Sequence, residues 1–424
     1  MKKIYQAPVA SLLAMTRLFC EMSRFDPGLM RLKEGIMKWR FRFPILFLGM
    51  AMILSMAAAQ KVETVNGVQI VHNEKAGQWG NNPAVKLELV RTIGGLDADE
   101  NLSFNAPYDI VLDSAGNMYI LDTGNNRIQK LDPQGKFIKT IGRQGQGPGE
   151  FQGAFSLDID EQDNLFVFEV RNMRIQVLSA EGRSLSTVKF DAFSMGQIRR
   201  LKPGLFVKGG SINLRSLMDR PRKLPKLLEI IDRNGRTKKT FGEATDYKDA
   251  NVNSHANSFS LDTDAEKNIC LSFWYQNRIE KYASDGTLLW RADRVLNYGT
   301  EVIDKGNIER SEQGTSIQAP TMNMVSLGIA ADGKGRIWVN TLRRQMSREE
   351  QGARLSIGGI TRTVAEPKIE KMDVYKLEIY SPGGILLGDI PLNHHTHGLR
   401  IFGDNLFIWE RNDTTYYQYK IIEK

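Results

Sequence analysis

Cysteine is almost absent from this chain, with Cys20 and Cys270 the only two in 424 residues. Cys20 falls in a leader-like N-terminal segment, so Cys270 stands alone in the remainder and no disulfide framework can hold the fold. A lone strand cysteine is most often a small buried hydrophobe. No cysteine follows the apolar N-terminal run to accept a lipid. Histidine is scarce as well, five in all, which leaves little material for a metal centre or for acid–base chemistry. A Gly-x-Ser-x-Gly elbow, a His-Glu-x-x-His pair and a calcium-loop pattern are all missing. Gly145, Gly147 and Gly149 lack phosphate-loop spacing and lead into a strand rather than a helix, so they read as a connector.

Long hydrophobic runs are also lacking outside the N-terminal region. The uncharged stretch Phe43–Ala59 is 17 residues long, at the lower limit of about 17–25 for a spanning helix. It follows a basic segment, Met37–Arg42, and ends in Ala57-Ala58-Ala59, the pattern of a signal peptide cleaved before Gln60. The expected plan is residues 1–36 as a gene-model extension or disordered leader, 37–59 as signal peptide, 60–84 as linker and 85–424 as the folded domain. Contact with a membrane is expected only if the leader is uncleaved. Residues 1–59 hold nine Lys/Arg and three Asp/Glu, leaving 48 basic and 46 acidic residues, a net charge of +2 where the whole chain has +8. That balance argues against a nucleic-acid partner.

What is present is a repeat. Asn125-Asn126-Arg127-Ile128-Gln129 returns 47 residues later as Asn172-Met173-Arg174-Ile175-Gln176, with Gly135 returning as Gly182. Asp113, Asn117 and Asp122 return as Asp160, Asn164 and Glu169. A fixed period of this size means stacked units, none of which buries its apolar face alone. The first unit reads as four short strands, Tyr108–Asp113, Asn117–Asp122, Arg127–Asp132 and Lys136–Ile141. Ser114-Ala115-Gly116 and Pro133-Gln134-Gly135 supply the turns between them. Asp113, Asp160 and Asp264 recur with the repeat, which marks them as turn residues rather than a catalytic set.

Degraded copies follow, with unit starts near 107, 154, 196, 258, 325 and 398. The last copy has three strands, and Val85–Gly94 resembles the missing fourth. The expectation is an all-β fold, a six-bladed β-propeller of four-stranded antiparallel blades, closed by an N-terminal strand completing the last blade.

The run Gly142–Phe151, then a strand, Asp-x-x-Gly-Asn or its like, and Asn-x-Arg-Ile-Gln resembles the NHL repeat. The resemblance covers roughly residues 85–424 and is strongest in the first two copies. It extends to bacterial exported six-bladed propellers, which implies a periplasmic or extracellular location. A fold of this kind does not by itself imply a reaction.

Function in a repeat scaffold lies where copies depart from consensus. Insertions are read at about 209–225, 291–323 and 341–372. All lie in second-to-third-strand loops or blade connectors, which emerge on one face, so they crowd one mouth of the channel. The rim is rich in arginine, with Arg343 and Arg344 suited to an anionic group.

At the start of the inner strands, Tyr108-Asp109, His255 and Asn257 form the polar set that faces the channel. His395 and His397, in the connector to the last blade, are the metal candidates for Ca or Zn, and would need a further ligand from another blade. No cofactor is otherwise expected. The leading reading is an exported, non-catalytic binding module for a protein, peptide or glycan at that mouth. The alternative is a metal-dependent hydrolase or lyase, lactonase- or esterase-like, in the same place, using Asp109, Asn257 and the His395/His397 pair, which are only fragments of the Glu, Asn and Asp set of six-bladed lactonases. A membrane-anchored sensor is the third.

Overall fold

The computed structural model describes residues 60–424, apart from 191–195, 215–216, 218–223, 312–313, 352, 358–359, 366–371 and 412. The readings of 1–59 as extension and signal peptide lie outside the described residues, as do parts of the insertions at 209–225 and 341–372. Among the described residues no helix is long and apolar enough to cross a membrane.

Four-stranded antiparallel sheets begin at Pro107, Ala154, Gly196, Phe259, Ser326 and Gly398. These inner strands, Pro107–Leu112, Ala154–Ile159, Gly196–Lys202, Phe259–Thr263, Ser326–Ala331 and Gly398–Phe402, touch one another in a ring. The protein is a six-bladed β-propeller, with Val85–Gly94 paired antiparallel to Thr415–Glu423 as the outer strand of blade six.

The sequence pattern explains the layering. Second strands such as Met118–Asp122 and Leu165–Glu169 are buried along their whole length because both sheet faces meet neighbouring blades. They therefore read as unbroken apolar runs. Outer strands such as Ser184–Lys189 and Thr237–Phe241 are largely exposed and correspondingly polar. Six apolar clusters occupy the six seams between adjacent blades. One, around Val111, Leu121, Ile141, Phe151 and Val167, joins blades one and two. Another, around Ile93, Phe104, Ile110, Phe407 and Trp409, joins blades six and one.

The repeated motif is a clamp. In blade two the Arg174 Nε bonds the buried Glu169 at 2.7 Å, and its other nitrogens bond the carbonyls of Gln146, Gly147 and Glu150. Asn172 and Gln176 bond the same carboxylate at 2.6 and 2.8 Å. Each such set ties a blade to the connector that precedes it. The recurrent aspartates are turn residues, as expected: Asp113 accepts from the Ala115 and Asn117 amides, and Asp264 from those of Glu266 and Asn268.

One expectation needs correction. Residues 60–84 are not a free linker. Lys61–Val65 and Val68–His72 form a hairpin whose second strand pairs in parallel with Leu288–Asp293, widening blade four to six strands. The buried Asn73 side chain then bonds the carbonyls of Asp293 and Gly384 and the amide of Leu386, tying blade four to blade five. The Trp79 amide bonds the Leu387 carbonyl at 2.7 Å before the chain enters blade six. The segment is a strap over the outer edges of three blades. The second strand of the hairpin pairs with an edge that four strands would leave open, and the first strand is exposed throughout.

The described parts of the second and third insertions are bonded to neighbouring elements. A helix the sequence reading did not include, Ala250–Ala256, is capped by Asp249. Its Asn251 bonds the Lys305 and Gln318 carbonyls, buttressing the second insertion. Tyr298 and Gln345 knit the second insertion to the third through the Leu342 and Met324 carbonyls.

Candidate functional site

The inner strands of blades one, two and five begin with a register shift. Pro107 pairs with Asp122 but Asp109 pairs with Leu121, so Tyr108 is the extra residue. The same shift occurs at Phe155 and at Leu327. Such bulges re-aim the side chain of the inserted residue. Tyr108 and Leu327 line a recess at the channel mouth, and Phe155 packs edge-on against Tyr108 at 5.1 Å between centroids.

The recess has about 80 Å³ of space for water-sized groups. Its walls include the rings of Tyr108, Phe259, Trp274 and Trp409. Its polar side chains include Gln197, Ser211, His397 and Arg411. Blades one, three, four, five and six all contribute. Trp274 is held by its Nε1, which donates to the Ser260 Oγ at 2.8 Å. The Arg411 guanidinium lies 4.1 Å over the Tyr108 ring, within cation–π range. Its backbone N–H donates to His397 Nδ1 at 3.2 Å.

Beneath the mouth, the channel is filled by a buried ion network. Arg199, 1% exposed, bonds Asp109 at 3.2 Å, Asp262 at 3.0 Å and Ser156 at 2.7 Å. Arg400 bonds the other oxygen of Asp109 at 3.3 Å. Burial works against the Arg199 charge, but Asp109 and Asp262 outweigh it, so its pKa rises. The network links blades one, two, three, four and six across the axis.

A family model described as 6-bladed beta-propeller, DUF5128, matches residues 96–318, more than half of the chain. The chain belongs to the DUF5128 family. Solved structures with which this DUF5128 propeller aligns include a member of the DUF4221 family from Bacteroides vulgatus. It is 10% identical with a TM-score of 0.49, over 80% of this chain and 99% of that one. Virginiamycin B lyase from Staphylococcus aureus is 12% identical with a TM-score of 0.43, over 80% of this chain and all of that one. A protein of unknown function from Bacteroides thetaiotaomicron is 13% identical with a TM-score of 0.43, over 86% and 84% of the two chains. No curated protein matches the DUF5128 chain in sequence.

The sequence-predicted residues divide sharply in this DUF5128 propeller. Tyr108 and His397 line the recess. Asp109 faces the axis but is fully buried and spent on Arg199, Arg400 and the Leu157 amide, so it belongs to the scaffold. Asn257 is scaffold too: its Oδ1 accepts from the Thr245 amide at 2.8 Å, and its Nδ2 donates to the Thr245 and Asn253 carbonyls. His255 packs on Tyr275 with centroids 4.6 Å apart, and burial lowers its pKa. Arg344 is pinned by Glu350 and Asp373, while Arg343 is an exposed collar residue; neither lines the recess.

The two metal candidates have separate partners. His395 packs edge-on against Tyr375 at 5.7 Å, whereas His397 faces Glu410 at 3.5 Å. Among the described residues no three His, Cys, Asp or Glu side chains converge as a metal site. The DUF5128 residues that sequence reasoning missed are Gln197, Ser211, Trp274, Trp409 and Arg411. A signal existed for two of them. Trp274 and Arg411 occupy the place just after the second strand where the regular blades carry Thr123 and Val170.

Proposed function

We propose that this protein is an exported, non-catalytic binding module whose ligand, a glycan or the end of a peptide or protein, enters the recess at the channel mouth. The carrying observation is the recess itself: four aromatic rings and a guanidinium, drawn from blades one, four and six, around a space of about 80 Å³. Rings supply contact area at low entropic cost, and a few convergent polar groups supply orientation. The carboxylates nearest the mouth are committed, Asp109 and Asp262 to Arg199 and Glu410 to His397. Binding chemistry is therefore what a ligand meets there. Export is supported by the basic segment, apolar run and alanine triplet at 37–59.

The test is a panel of glycans and peptides titrated into the full chain, followed by tryptophan fluorescence and calorimetry. A ligand of the recess loses at least tenfold in affinity on Trp274→Ala. If every ligand found binds the Trp274→Ala protein unchanged, the recess is not the site.

A further inference from the structure

We infer that Arg411 receives the carboxylate of a single acidic sugar ring, a terminal uronate residue, within the recess. The inference rests on the proposed binding role of the mouth and names the chemistry of its ligand.

The first ground is a departure from the repeat. In blades one and two an acid at the end of the second strand pairs across with the clamp arginine, Asp122 with Arg127 and Glu169 with Arg174. In blade six Glu410 occupies the acid's place, but Thr415 stands opposite it. The arginine has moved to position 411, where it cannot serve as the clamp and lies on Tyr108 instead. Glu410 turns to His397 and to the Asp413 amide.

The second ground is charge. Arg411 has no carboxylate partner among the described residues, and its Nε is buried without a hydrogen bond. The Trp409 Nε1, on another wall of the same recess, is buried and unpartnered as well. No Asp or Glu is among the described residues that line the recess. A guanidinium without a carboxylate partner among the described residues selects a ligand of negative charge.

The third ground is size and shape. The recess is small, with about 80 Å³ open to the centres of water-sized groups, which suits the end of a chain rather than an extended one. Flat rings can stack on the C–H faces of a sugar, and its hydroxyls meet Gln197, Ser211 and His397. A peptide terminus would instead bring backbone N–H groups into a recess whose unmet groups are donors, which disfavours it.

The experiment titrates the full chain with methyl glucuronoside, its amide and methyl glucoside at low salt. The glucuronoside is expected to bind at least tenfold more tightly than either neutral analogue. Arg411→Gln should erase that preference, bringing the glucuronoside to the level of its neutral analogues, and Trp274→Ala should weaken all three. The wild-type comparison of acid with amide needs no variant, so a folding defect in Arg411→Gln cannot hide the answer. Equal binding of acid, amide and glucoside overturns the carboxylate assignment and leaves the mouth as the binding site. Arg411-dependent binding of a dipeptide with a free, but not an amidated, C-terminus, with no response to glucuronoside, overturns the sugar class. If no compound of any class responds to Trp274→Ala, both this inference and the proposed role fall.

Discussion

At the scale of single residues, the centre of the ring is held by charge rather than by apolar packing. Arg199 balances Asp109 and Asp262, and Arg400 shares Asp109, so removing one member strands the others away from water. Breaking a buried pair costs about 3–5 kcal/mol, because the remaining charge is uncompensated. Arg199→Ala is therefore expected to lower unfolding stability by about 3–5 kcal/mol in urea titration. Ser156→Ala, which removes a hydroxyl bonded to Arg199 and Asp109 but no charge, should cost less, about 2 kcal/mol. Similar losses for the two variants would mean that the network contributes little. Asp109 was visible in sequence as a channel-facing residue. Its partners were not, since Arg199 and Arg400 are 90 and 291 residues away.

At the scale of the element, one clamp explains both the regular blades and the irregular one. Arg174 is 11% exposed at its side chain and holds Glu169 together with three connector carbonyls. Arg174→Ala should cost about 3 kcal/mol, less than the full buried-pair value if Asn172 and Gln176 keep the carboxylate satisfied. Hydrogen exchange of Gly145–Phe151 offers the sharper readout. Faster exchange there, with the rest of the ring unchanged, is the result expected of a clamp on the preceding connector. Uniform acceleration over all blades would contradict it. Blade six lacks this arginine, and the same lack places Arg411 at the mouth.

At the scale of the whole molecule, the strap of residues 60–84 joins blades four, five and six from outside. His72 is its titratable contact, with Nδ1 2.8 Å from Asp293 and Nε2 3.3 Å from Glu63. Burial pulls its pKa down, but the bonds to Asp293 and Glu63 outweigh that and leave it raised. A raised folded-state pKa gives stability that is complete below the ordinary histidine value of about 6.5. That stability is lost as pH rises through the folded-state pKa. Exchange protection of Val68–Asn73 should therefore fall as pH is raised from 6 to 8, after correction for intrinsic exchange. His72→Asn should flatten that dependence, and a wild-type profile as flat as the variant's would remove the role. Deleting residues 60–84 should expose the edge of Leu288–Asp293 and lower the thermal midpoint, read by calorimetry.

The sequence alone determined the repeat, its register and the number of blades, because strands, turns and clamps are built from residues within one 47-residue period. Hydrogen bonds of that range leave a local imprint: alternation, Gly at turns, acid and arginine at fixed spacing. It also set the expectation that one face carries the insertions, since strand direction follows from the count of strands. Only the tertiary structure decided what lies at the centre of that face. Tyr108, Gln197, Trp274, Leu327 and Arg411 belong to five different blades and meet only because the ring brings their strand ends together. No period links them, and two are aimed by bulges that depend on pairing with the next strand. The strap is the same case on the outside, where two short strands acquire meaning only from the open edge they cover.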